Sequence, residues 1–97
     1  MRSNPNPPTR TIAGVVTSGG AIQQGAGFSV IKNSTGNFTV RFTPAFLAPP
    51  VITVTTLGAA VSYVAFWAPD YFIVQTYVST SGGGTDATFS FVAVGRP

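Results

Sequence analysis

The stretch Gly27-Phe-Ser-Val-Ile-Lys-Asn-Ser-Thr-Gly-Asn-Phe-Thr-Val-Arg-Phe42 constrains this chain most. Phe28 and Val30 alternate with Ser29, and Phe38, Val40 and Phe42 alternate with Thr39 and Arg41. Period-two alternation describes strands with one buried and one polar face. Setting Val30 opposite Val40 also sets Phe28 opposite Phe42, which gathers the apolar side chains on one face. That register places Asn33 opposite Asn37 and leaves a three-residue loop, Ser34-Thr35-Gly36. Gly36 then takes the left-handed position such a loop needs, where glycine carries no Cβ penalty. A four-residue loop would mix the faces by opposing Phe28 and Arg41.

The remaining segments read as strands laid against this hairpin. Residues 1–10 hold three prolines and read as an extended linker or tail. Thr11–Thr17 is a first strand with Ile12 and Val16 on one face and Val15 on the other, followed by a short edge segment over 21–24. Residues 43–50 contain three prolines, which exclude an internal strand and mark a crossover between sheets pinned by Phe46. Val51–Leu57, Val61–Trp67, Tyr71–Val78 and Ala87–Val94 follow, with a Pro69-Asp70 turn and a glycine-rich polar loop over 79–86 between them. Strands 61–67 and 71–78 are apolar on both faces. No stretch carries a sustained helical period. The expectation is an all-β domain over 11–95, a six- to seven-stranded antiparallel sandwich or barrel, with 96–97 as a short tail.

Composition excludes most chemistry. With 97 residues there is one core, and with no Cys and no His there is no disulfide, thiol nucleophile, histidine base or Cys/His zinc site. Asp70 and Asp86 are the only carboxylates, too few for a persuasive metal site. Gly82-Gly83-Gly84 lacks the following helix and lysine of a phosphate cradle. No catalytic residue, cofactor or metal is expected. No run approaches the roughly 18 apolar residues that span a bilayer.

Charged residues make up 7% of the chain, against roughly 25% in ordinary soluble domains. So few charges leave apolar surface to be covered by other copies of the chain. The net charge of +3 comes from Arg2, Arg10, Lys32, Arg41 and Arg96 against Asp70 and Asp86, the cations scattered rather than clustered, which weighs against nucleic acid as partner.

Gly27-Phe-Ser-Val, Gly36-Asn-Phe-Thr-Val-Arg-Phe, Pro50-Val-Ile-Thr-Val, Tyr71-Phe-Ile-Val-Gln and Phe89-Ser-Phe-Val-Ala-Val-Gly95 follow one another at familiar spacings. The chain resembles small glycine-rich β-domains that end bacteriophage tail fibres and bacterial collagen-like surface proteins. Its later half is similar to H-type lectins, six-stranded sandwiches that assemble as trimers and bind sugars, although Phe91 stands where those lectins usually carry Trp. The resemblance implies an extracellular or virion-associated homotrimer that caps a fibre or appendage and contacts a cell surface, glycans included.

Among the aromatic residues at 63–77, Trp67 and Tyr71 beside Asp70 and Gln75 form the candidate ligand site: rings to stack on a sugar, side-chain oxygens and an amide to bond its hydroxyls. The rival reading places these rings in the core or a subunit interface, making the chain a structural trimerisation domain without ligand. A third reading, a single-stranded nucleic-acid-binding barrel, uses the same rings for base stacking but lacks the cations.

Overall fold

The computed structural model describes residues 8–78 and 83–97; the first seven residues of the expected 1–10 tail and part of the glycine-rich loop lie outside these. Eight strands are present: β1 (Arg10–Val16), β2 (Ile22–Gly25), β3 (Phe28–Ser34), β4 (Asn37–Phe42), β5 (Val51–Thr56), β6 (Val61–Trp67), β7 (Tyr71–Tyr77) and β8 (Phe89–Gly95). They form two four-stranded antiparallel sheets, ordered β2-β1-β8-β5 and β3-β4-β7-β6. The all-β sandwich expected from the sequence is therefore present, with eight strands rather than six or seven. The eighth strand is β2, the short edge segment expected over 21–24, whose backbone pairs with β1 although all four of its residues are exposed. Arg10 also joins β1 rather than a tail: it pairs with Gly95, donates from Nη1 to the Pro44 carbonyl at 2.6 Å, and lies 4.8 Å over the Phe46 ring.

Seven of the eight phenylalanines fill the space between the sheets, with Val16, Val40, Val74 and Ala93 around them. Phe28 meets Phe91 edge-on at 4.9 Å, and Phe72 meets Phe91 at 5.3 Å. Each buried ring contributes about 1.5–3 kcal/mol relative to exposure, so these rings dominate the stability of a 97-residue chain. Gly14 makes room for one of them, because a Cβ there would run into the Phe28 ring. Phe46 is buried against Phe42 at 5.0 Å, and its N–H donates to the Pro69 carbonyl, so the 43–50 crossover is pinned as expected.

The β3–β4 hairpin has the expected pairs Phe28–Phe42 and Val30–Val40, but its tip differs. Asn33 is an extra residue in β3, Ser34 faces Asn37, and only Thr35-Gly36 turns the chain. Asn33 is held out of the ladder by its own amide, which donates to Asn37 Oδ1 and Thr39 Oγ1, each at 2.8 Å. Gly36 does adopt a positive φ of 71°.

Candidate functional site

The outer face of the β3-β4-β7-β6 sheet is set by a second irregularity. In the β6–β7 pair the register shifts between Val64 and Phe66, so Ala65 is the extra residue of a bulge. Phe72, Val74 and Thr76 point into the core. Their partners Trp67, Val64 and Ser62 therefore share the inner side, while Val61, Tyr63 and Phe66 face outward beside Tyr77, Gln75 and Ile73. An unbroken strand would have put Tyr63 and Phe66 on opposite faces. The bulge puts both outside.

The result is an aromatic ledge. Phe66 and Tyr71 stack with ring centroids 5.3 Å apart and planes 25° from parallel, while Tyr63 and Tyr77 meet edge-on at 5.8 Å. Phe66 is the one phenylalanine left in solvent, about half exposed. Beside the rings runs a chain of side-chain amides: Asn33 donates to Asn37 Oδ1, and Asn37 donates to Gln75 Oε1 at 2.9 Å. At the other end of the ledge the Arg41 guanidinium lies 5.1 Å over Tyr71 and 3.3 Å from an Asp70 carboxylate oxygen. Rings with exposed faces, flanked by amides that still have hydrogen-bonding capacity, can hold a flat, hydroxylated, uncharged ligand.

Of the four residues singled out in the sequence, Tyr71 and Gln75 are together on this ledge and Asp70 borders it through Arg41. Trp67 is elsewhere. Its ring faces the opposite side of the sheet, Nε1–H donates to the Pro50 carbonyl at 2.5 Å, and it walls an apolar groove of about 450 Å³ with Pro50, Val51, Ile52 and Val64. Sequence reasoning counted Tyr63, Phe66 and Tyr77 among the aromatics of a stacking platform without choosing them for the site, and passed over Asn37 and Arg41. A bulge leaves no compositional mark in Val-Ala-Phe, and the pairing of β4 with β7 joins segments too distant in the chain for local pattern to reveal.

The two carboxylates sit at opposite ends of β4. Asp70 is beside Arg41, and Asp86 reaches Gly36 and Lys32 at the hairpin tip. Five residues of strand separate those ends by roughly 15 Å, beyond the 5–9.5 Å of a glycosidase pair. Asp86 accepts from Lys32 Nζ at 2.6 Å and from the Gly36 N–H at 2.7 Å, and these contacts, the lysine hydrogen bond foremost, hold its carboxyl below the usual value of 3.8. Among the described residues no cluster of three acidic, histidine or cysteine side chains exists to hold a metal, and no helix is long and apolar enough to cross a membrane.

Comparison with protein-family models, with curated proteins and with solved structures finds no match to this chain.

Proposed function

We propose that this chain is a non-catalytic, self-assembling binding module that caps a fibre or surface appendage, with its aromatic ledge contacting a cell-surface glycan. The ledge itself carries this reading: Tyr71 and Tyr77 face outward by strand alternation, one bulge brings Tyr63 and Phe66 out together beside them, and the Asn37–Gln75 amide pair edges the rings. A chain with so few charges that spends large aromatics on a solvent face gives that face a partner to meet. Sugars are the partner class that uses stacking and amides together without requiring charge. The appendage and the trimer come from the resemblance described above, supported by the low charge of the whole chain.

A glycan array probed with the wild-type protein tests the ligand, and Tyr71→Ala, Phe66→Ala and Trp67→Ala locate it. The expected pattern is loss of about tenfold or more with Tyr71→Ala or Phe66→Ala, and retained binding with Trp67→Ala. Binding lost only with Trp67→Ala would move the site to the groove. No binding to any glycan would leave the second reading, a structural assembly domain. That reading has its own observation: Leu47 and Val51, both remote from the ledge in sequence, are 71% exposed. Light scattering at several concentrations tests assembly separately, with a trimer expected and a concentration-independent monomer refuting it.

A further inference from the structure

The two narrow sides of the sandwich are built differently. One is made by β2 and β3, the other by β5 and β6, the remaining edge strands of the two sheets. On the first side β2 is four residues long and carries two glutamines, and β3 carries Lys32, whose ammonium pairs with Asp86. Short strands and lysines are the usual protection of a sheet edge against another chain. The second side has neither. From Phe42 to Pro69 the chain contains no charged residue at all, and β5 and β6 are six and seven residues long.

This side is also shaped to receive something. The groove between the edge strands is walled by Pro50, Val51, Ile52, Val64 and Trp67, and Trp67 is 55% exposed within it. The chain carries a matching projection. Leu47, one of the two most exposed large apolar residues, is held near the same end of the molecule, where its N–H donates to the Arg96 carbonyl while the preceding Phe46 N–H donates to the Pro69 carbonyl. We propose that the uncharged β5–β6 edge is where a second copy of this chain docks, with Leu47 of that copy entering the groove beside Trp67. The inference rests on the self-assembly reading and names its surface.

A projection and a groove at different places on one surface give a heterologous contact, which closes into a ring when the rotation permits. Each contact joins the groove of one copy to the projection of the next, so the exposed parts of Leu47, Val51, Val64 and Trp67 supply roughly 450 Å² of apolar surface to it in all, on ordinary side-chain areas. That is about half the apolar area of a standard interface counted over both partners, which puts a single contact at the weak end of the range and leaves ring closure to consolidate it.

Sedimentation velocity on the full chain tests this with Val51→Lys in the groove wall, Leu47→Lys in the projection and Ile31→Lys, an exposed apolar position on β3 at the other edge, as control. Burying an unpaired lysine in an apolar contact costs enough to weaken association by about 100-fold or more. Val51→Lys and Leu47→Lys are expected to sediment as monomers with unchanged melting temperature, and Ile31→Lys as the wild type does. Mixing the two monomeric variants is expected to recover a dimer, because one copy keeps its groove and the other its projection. An assembly untouched by Val51→Lys or Leu47→Lys, or a mixture that stays monomeric, overturns the assignment while leaving self-assembly standing. A wild-type monomer at all concentrations removes both.

Discussion

The two hairpins of the β3-β4-β7-β6 sheet use apolar side chains in opposite ways. In β3–β4 the large apolar residues Phe28, Phe38, Val40 and Phe42 are buried, while Ser29 and Arg41 face out; Ile31 is the exception. In β6–β7 the inner row Phe72, Val74 and Thr76 is matched by an outer row of Tyr71, Ile73 and Tyr77, and β6 leaves Tyr63, Phe66 and Trp67 largely exposed. The first hairpin is mainly scaffold, and its outer face borders the ledge only through the amides of Asn33 and Asn37 and through Arg41. The second builds the core from one face and offers a surface from the other, so its composition serves two purposes at once.

Two phenylalanines within β6–β7 separate those purposes most sharply. Phe72 is fully buried and touches Phe42 and Phe91; Phe66 stacks only on Tyr71 at the surface. Phe72→Ala is expected to cost about 3–5 kcal/mol, the range for deleting a core aromatic. Phe66→Ala should cost about 1 kcal/mol or less. Urea unfolding of both variants checks this, and equal losses would mean that the ledge is part of the folding core.

The tip of β3–β4 gives the next largest effect. Gly36 has a φ of 71°, and a Cβ added there would stand 2.5 Å from the Thr76 carbonyl oxygen and 2.7 Å from the Thr85 nitrogen. Gly36→Ala therefore combines an unfavourable backbone with a backbone clash and is expected to destabilise by about 1–3 kcal/mol. A neutral result in the same urea titration would show that the tip is not held against β7.

These differences explain what could be read in advance. Phe28, Phe38, Val40 and Phe42 were legible because alternation and turn chemistry both act within a few residues, and so was the need for glycine at position 36. The all-β class followed from many such short segments. Which of Phe66 and Trp67 would face out beside Tyr63 was not legible, because it depends on the extra residue Ala65, and nothing in Tyr-Val-Ala-Phe-Trp marks where a bulge will form. Asn33 was misplaced for a related reason: its side-chain bonds to Asn37 and Thr39 outweigh regular pairing. Arg41 read as one more polar residue on a wet face until the pairing of β4 with β7 brought it over Tyr71.

A smaller effect tests how Trp67 differs from its neighbours on β6. Its indole N–H is bonded to Pro50, which ties the crossover to the strand. Trp67→Phe keeps a ring in the groove and removes only that bond, so about 1 kcal/mol of stability is expected to go. Thermal unfolding of the variant below its association concentration measures it. No loss would leave the indole as lining alone.

The mildest prediction concerns the ionic tie at the tip of β3–β4. Asp86 fastens the β3–β4 tip by accepting from Lys32 and from the Gly36 N–H, and the folded protein accordingly favours its carboxylate, with a pKa lowered below 3.8. Because the folded state binds this proton less readily than the unfolded chain, the contribution is complete well above pH 3.8 and disappears as pH falls through the lowered folded value. Both partners are about one-third exposed, so water and salt screen the pair and the effect on stability is modest. Asp86→Asn should melt below the wild type at neutral pH, and the gap should narrow as pH falls below 3.8. A carboxyl NMR titration of the wild type gives the folded value directly. A gap that stays constant across that range would mean that the asparagine is penalised for its shape, and that the charge of Asp86 does nothing for the hairpin tip.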